Sequence, residues 1–244
     1  MPRPQRTDHP DAVHHVSCRV NWRRFHLEHA AQAEIYFDEL DAALEAFDVE
    51  LLASAQMSNH HHVILRSPPK ERYRRLTSRI TKCGHWRPYP QGHCNSMVLS
   101  QLMRRLHRVV AVKLQLKLGL SGHFWGKRYH SREIRDSIDL TATIAYDHRN
   151  PVRAGMTLHP EDYAFSTAAA YAGSLADSRV PLAPESRLPF GLTWEKLQGA
   201  VRVYQSSKAV DDIFEAMGKM GITPGHPDYE TTLHAAIRKA GLAT

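Results

Sequence analysis

The stretch from Val49 to Leu65 constrains the fold most. It reads as extended chain, interrupted at Met57-Ser58-Asn59 and stopped by Pro68-Pro69. Upstream, Val13 to Val20 (VHHVSCRV) is short, carries β-branched residues and reads as a strand. Between the two, Glu28 to Phe47 reads as a helix. Ile35, Tyr36, Leu40, Leu44 and Phe47 recur near helical spacing behind an acidic outer face.

Downstream, Tyr73 to Lys82 reads as a short basic helix and Ser100 to Leu118 as a longer one. Leu102, Met103, Leu106, Val109 and Val110 share one side of the longer helix, with Arg104, Arg105 and Arg108 on the other. Gly119 to Gly126 is a turn region, and Lys127 to Arg135 reads as extended and basic. Ser137 suits an N-cap for a helix to about Arg149, which Asn150-Pro151 should end. Residues 1–12 read as a flexible arm. Beyond about 172 the chain turns Ala-, Ser- and Pro-rich and reads as a linker. Helices are expected over 193–218 and 228–241.

Charge is unevenly spread over the 244 residues, whose net charge is +7. Residues 28–50 hold eight acids and no Lys or Arg. Residues 66–87 hold eight basic residues against one acid, and residues 100–135 nine against one. Such blocks suit a phosphate-rich partner, since each neutralised phosphate releases counterions. A solvated surface without a partner is the alternative. No apolar run approaches the roughly 18 residues that span a bilayer, and the N-terminus lacks an apolar signal core. Cys18, Cys83 and Cys94 are too few and too irregular for a disulfide framework, so a reducing cytoplasmic setting is expected.

Four segments could carry chemistry. On a strand, His60 and His62 point the same way, and two imidazoles on one face can share a divalent ion if a third ligand comes from elsewhere. A chance cluster among 17 histidines is the alternative. Tyr146 and Asn150 lie one helical turn apart. A tyrosine hydroxyl can attack phosphorus when a metal polarises the phosphate, and an amide one turn away could join the metal. The plainer reading is a half-buried tyrosine and a helix-ending Asn. Cys83, His85, His93 and Cys94 are four possible zinc ligands within twelve residues, in a spacing that matches no common finger. Gly122 to His130 (GHFWGKRYH) interleaves aromatics with bases, as single-strand binders do, or else buries its aromatics and solvates its charges.

Taken in order, the chain resembles the REP-associated tyrosine transposases, of the single-tyrosine branch of HUH endonucleases. Met57-Ser58-Asn59-His60-His61-His62-Val63 resembles the family's MPNHxH strand, and Leu102 to Leu106 its basic helix. Gly122 to Tyr129 resembles GxxWxxRY/F. Tyr146 with Asn150 to Gly155 resembles YxxxNPVRAG, and Pro160 to Thr167 resembles PxxYxWSS. The likeness covers residues 13–172.

The resemblance implies a ferredoxin-like α+β domain. Its antiparallel sheet would carry the His pair, with helices flanking it; residues 173–244 lie beyond the likeness and read, from their own residues, as a linker and a mainly helical C-terminal extension. It implies Tyr146 as nucleophile and His60, His62 and Asn150 as ligands of Mg²⁺ or Mn²⁺. Arg104, Arg105, Arg108, Trp125, Lys127, Arg128 and Arg153 would contact DNA. The implied activity is cleavage and rejoining of single-stranded, hairpin-forming repeat DNA through a 5′-phosphotyrosine, by a nucleoid-associated, cytoplasmic monomer or homodimer with no membrane partner. A domesticated hairpin binder that does not cut is the alternative; a histidine phosphohydrolase would want a further His at position 64, which is Ile. Two positions depart from the pattern. Ser58 replaces the usual Pro, and His61 stands where a large apolar residue packs on the other sheet face, so it needs a partner or a wetter core.

Overall fold

The computed structural model describes residues 8–82, 97–223 and 226–242. In chain order the elements are β1 (Val13–Arg19), α1 (Ala30–Phe47), β2 (Glu50–Met57), β3 (His60–Arg66), α2 (Lys70–Lys82), α3 (Met97–Leu118), β4 (His130–Ile134) and α4 (Ser137–Arg153). Then come α5 (Ala168–Ala172), α6 (Trp194–Gln205), α7 (Ala209–Lys219) and α8 (Tyr229–Lys239). No described helix is long and apolar enough to cross a membrane.

The four strands form one antiparallel-paired sheet in the order β2-β3-β1-β4. This is the ferredoxin-like α+β arrangement: β1 and β2, joined through α1, are separated by β3. The β2–β3 hairpin turns at Ser58-Asn59, where the sequence interruption lies. The pleat sends Val16, Cys18, Val20, Val63 and Leu65 to one face. There they pack with Tyr36, Leu40 and Leu44 of α1 and Leu102, Leu106 and Val110 of α3. Val13, Leu52 and Ile64 face the other way, onto Leu140 and Ile144 of α4 and Leu197 and Val201 of α6.

His61 falls on the α1–α3 face and is fully buried. It finds the partner the sequence left open: its Nε2 lies 2.9 Å from Nε2 of His107 on α3. Its ring packs on Tyr36 at 5.1 Å and edge-on to Trp125 at 5.6 Å. The polar side chain thus sits within a ring cluster.

Three local expectations change. The N-cap of α4 is Asp136, not Ser137; its carboxylate accepts from the N–H groups of Ile138 and Asp139 at 2.9 Å. The helix runs past Asn150-Pro151 to Arg153. Proline in the last turn removes one hydrogen bond, and the stop comes at Gly155, whose φ of 68° lets Met156 N–H reach Pro151 O and Gly155 N–H reach Val152 O. Residues 8–12, expected within a flexible arm, are packed instead: Asp8 is buried and accepts from Ser67 Oγ at 2.6 Å and Leu99 N–H at 2.9 Å. Burial alone would raise that carboxyl; the donors, with His14, outweigh it and hold it below the usual carboxylate range.

The Ala- and Pro-rich stretch expected as a linker packs against the sheet. Ala183 N–H donates to Leu51 O at 2.8 Å, and Ala183 and Leu188 are buried. Just before it, Gln56 N–H donates to Phe165 O and Thr167 N–H to Ser54 O. Together these segments cover the outer edge of β2, which would otherwise expose unpaired backbone. The expected 193–218 helix is two helices, α6 and α7, broken at 206–208.

Candidate active site

His60 and His62 alternate on β3 and face α4, as the strand period requires. Their ring centroids are 5.1 Å apart. Each has its Nδ1 beside an acceptor. His60 Nδ1 donates to Asn59 Oδ1 at 2.7 Å. His62 Nδ1 lies 3.2 Å from Asp147 Oδ1 on α4. With a proton on Nδ1, the His60 ring keeps its Nε2 lone pair.

Asp147 is the residue that organises this side of the sheet. It is 1% exposed, and its Oδ2 also lies 3.1 Å from Nε2 of His15 on β1. His15 Nε2 and His62 Nδ1 are hydrogen-bonded to each other at 3.1 Å. Burial alone would raise the Asp147 carboxyl; the two imidazoles outweigh it and hold it low. Burial pushes His62 down to about 4, against the pull of Asp147. Burial also pushes His60 down to about 3, helped by His62 and Arg19. Both imidazoles are therefore neutral at pH 7, the state that binds metal.

The donor chemistry fits a divalent cation. Two neutral imidazoles and a carboxylate suit such ions, and the buried Asp147 Oδ1 has no aligned hydrogen bond among the described residues. His15, His62 and Asp147 could hold an ion directly, their ligand atoms lying within 4.8 Å of one another. That position lies under α4, however, whereas His60 and His62 line an open groove of about 500 Å³. The groove is open to solvent, whereas Asp147 is buried.

The groove is basic. Arg19, Lys127 and Arg128 line it and are exposed. Arg104, Arg105 and Arg108 are also exposed, but on α3, in the helix layer against the opposite sheet face. Trp125 is engaged inside the protein: its Nε1–H donates to His107 O at 2.8 Å, and its ring stacks on His107 at 4.4 Å.

Tyr146, Asn150 and Arg153 form a connected set on α4. The Arg153 guanidinium lies 4.5 Å over the Tyr146 ring and donates to Asn150 Oδ1 at 3.2 Å. Tyr146 also packs on Phe214 of α7 at 4.7 Å. Neither Tyr146 nor Asn150 lines the groove of the His pair. The amide oxygen that a metal would use is held by Arg153, and the buried Asn150 Nδ2 has no partner among the described residues. Tyr146 nonetheless adjoins Asp147 in sequence, and the Arg153 charge contributes to lowering His62.

Sequence reasoning assigned no role to His15 or Asp147. The signal for Asp147 was present: Leu140, Ile144 and Asp147 share one helix face, and an acid on an apolar face needs a partner. His15 carried no such signal, because its meeting with Asp147 depends on the packing of β1 against α4. Cys83, His85, His93 and Cys94 lie outside the described residues.

No family model and no curated protein matches the chain. Among solved structures, a REP-associated tyrosine transposase bound to a REP hairpin superposes with a TM-score of 0.52 at 16% identity, covering 79% of this chain and 97% of that one. A second, described as a candidate transposase from Deinococcus radiodurans R1, superposes with a TM-score of 0.35 at 14% identity, over 64% of this chain and 92% of that one. In fold, the chain is similar to a REP-associated tyrosine transposase.

Proposed function

We propose that the protein cleaves and rejoins single-stranded DNA beside a hairpin, with Tyr146 as nucleophile. The observation that carries this reading is the pair His60 and His62. Both are neutral, and both line a basic groove open to a phosphate. A pure binder has no evident use for that arrangement. The hairpin carried by the transposase of similar fold supports the choice of partner.

In this reading His60 and His62 would hold Mg²⁺ or Mn²⁺, with Asp147 and His15 setting the orientation of His62. Asn150, whose amide oxygen accepts from Arg153 here, would supply a further oxygen ligand. The ion, when bound, would neutralise nonbridging oxygens of the target phosphate. Arg19, Lys127 and Arg128 draw the strand into the groove and set its register. Arg153, lying over the Tyr146 ring, holds a positive charge beside the attacking residue. Tyr146 Oη gives up its proton to water as it bonds to phosphorus, the bond to the DNA 3′ oxygen breaks, and that oxygen takes up a proton to become the 3′-OH. The 5′ phosphate stays on the tyrosine as an ester, so a 3′-OH can reverse the step without ATP.

The test uses hairpin oligonucleotides labelled at either end, Mn²⁺, and a denaturing gel. The expected result is a protein-linked band carrying the 3′ label, absent with Tyr146→Phe and absent with EDTA. Hairpin binding with no adduct by the wild type, across both metals, would replace this reading with the non-cutting binder.

A further inference from the structure

Trp22 stands at the mouth of the His60–His62 groove and is 83% exposed. An indole so placed is unusual, because Trp normally buries most of its ring. Its backbone adds a second oddity. Trp22 has φ 56° and ψ 20°, and Arg23 follows with φ 55°. Side chains with a Cβ rarely adopt this left-handed conformation, and two in succession are rarer still.

The segment is nonetheless tied down on both sides. Val20 N–H donates to Asn59 O and Asn21 N–H to Phe124 O, both at 2.8 Å. Asn59 Nδ2 donates to Arg23 O at 3.1 Å, while Asn59 Oδ1 holds His60. One asparagine therefore links the strained turn to a proposed metal ligand. The hydrogen bonds hold the backbone in a disfavoured state, and the visible consequence is that the indole projects over the groove. Strain of this kind gathers where a ligand is met.

The surroundings select the ligand. Arg19, Arg23, Lys127 and Arg128 line the same groove. Cations that track phosphates, with an aromatic face among them, match the recognition of a single nucleic-acid strand. No other aromatic ring packs on the indole among the described residues, so its face is open.

We propose that Trp22 stacks on a nucleobase adjoining the phosphate held over His60 and His62. The inference rests on the single-strand reading above and adds a base-binding position to it. Stacking tolerates any base, so Trp22 would fix the strand's placement rather than its sequence.

The probe is a DNA hairpin with an oligothymidine tail in which one 2-aminopurine is moved along the tail. Binding and fluorescence are read in a Tyr146→Phe background, which prevents cleavage. At one tail position the emission should be quenched on binding. Trp22→Ala should abolish that quench and weaken binding about ten-fold, within the range for loss of one base stack. Trp22→Phe should largely restore both, and the salt dependence should not change, since the phosphate contacts remain. If Trp22→Ala binds as tightly as its parent and no tail position responds to it, the stacking proposal is overturned and the single-strand reading stands. If the parent binds no tailed hairpin, both fall together.

Discussion

Asp147 Oδ1 sits 3.2 Å from His62 Nδ1, at the junction of α4 and β3. The same carboxylate reaches His15 Nε2 at 3.1 Å, so one buried acid fixes two imidazoles. Asp147→Asn keeps the shape but offers an amide N–H to one ring. Loss of a partner that orients a metal-binding histidine typically costs 10- to 100-fold in affinity. Titration calorimetry with Mn²⁺ should show a loss in that range with an unchanged circular dichroism spectrum. Unchanged affinity would remove the orienting role, and complete loss of binding would make Asp147 a direct ligand.

The basic residues divide between two faces, and salt dependence separates them. Replacing Lys127 and Arg128 together by Ala should lower the slope of log K against log salt by roughly 1.4 for a tailed single strand, at about 0.7 per phosphate contact. The triple change of Arg104, Arg105 and Arg108 to Ala should leave that slope unchanged for an unstructured strand, because α3 lies on the far side of the sheet. Equal losses from the two sets would mean that the strand does not follow the His groove.

Acid sensitivity follows from the depressed histidines. Burial lowers His148 to about 4; its Nε2 is 2.8 Å from Thr167 Oγ1, and Gln205 Nε2 donates to its Nδ1. His60 and His62 are depressed for the same reason. The unfolded chain protonates these groups near 6.5, while the folded chain resists until about 4 or below. Their contribution is complete above 6.5 and declines as pH falls, by up to about 1.4 kcal/mol per unit for each group. Denaturant midpoints of the metal-free protein should drop steeply between pH 6.5 and 4.5, and His148→Gln should flatten that drop. A flat profile would contradict the buried, neutral assignment.

Asp8 ties the chain start to β3 and α3. Asp8→Ala leaves Ser67 Oγ and Leu99 N–H without their acceptor and should cost about 2–4 kcal/mol in chemical denaturation. A cost under about 0.5 kcal/mol, the ordinary surface value, would show that the first described residues are not part of the packed domain.

What was legible in the sequence was periodic. Alternation on β3 placed His60 and His62 on one face and sent His61 to the other, and helical spacing put Tyr146 and Asn150 one turn apart. The hidden parts depend on contacts between distant segments. His107 as the partner of His61 lies 46 residues away, and His15 meets Asp147 only because α4 crosses β1. Pro151 misled because a proline in a last turn need not end a helix. The linker reading failed because Ala- and Pro-rich composition does not reveal that residues 182–183 lie along β2.

Mass spectrometry would reveal whether Tyr146 becomes covalently joined to DNA. The protein is incubated with Mn²⁺ and a cleavable hairpin, digested with nuclease and protease, and its peptides are sequenced. The account predicts a nucleotide 5′-phosphate on the peptide that contains Tyr146, localised to that residue. An adduct localised to another residue, or strand cleavage with Tyr146 unmodified, would contradict it.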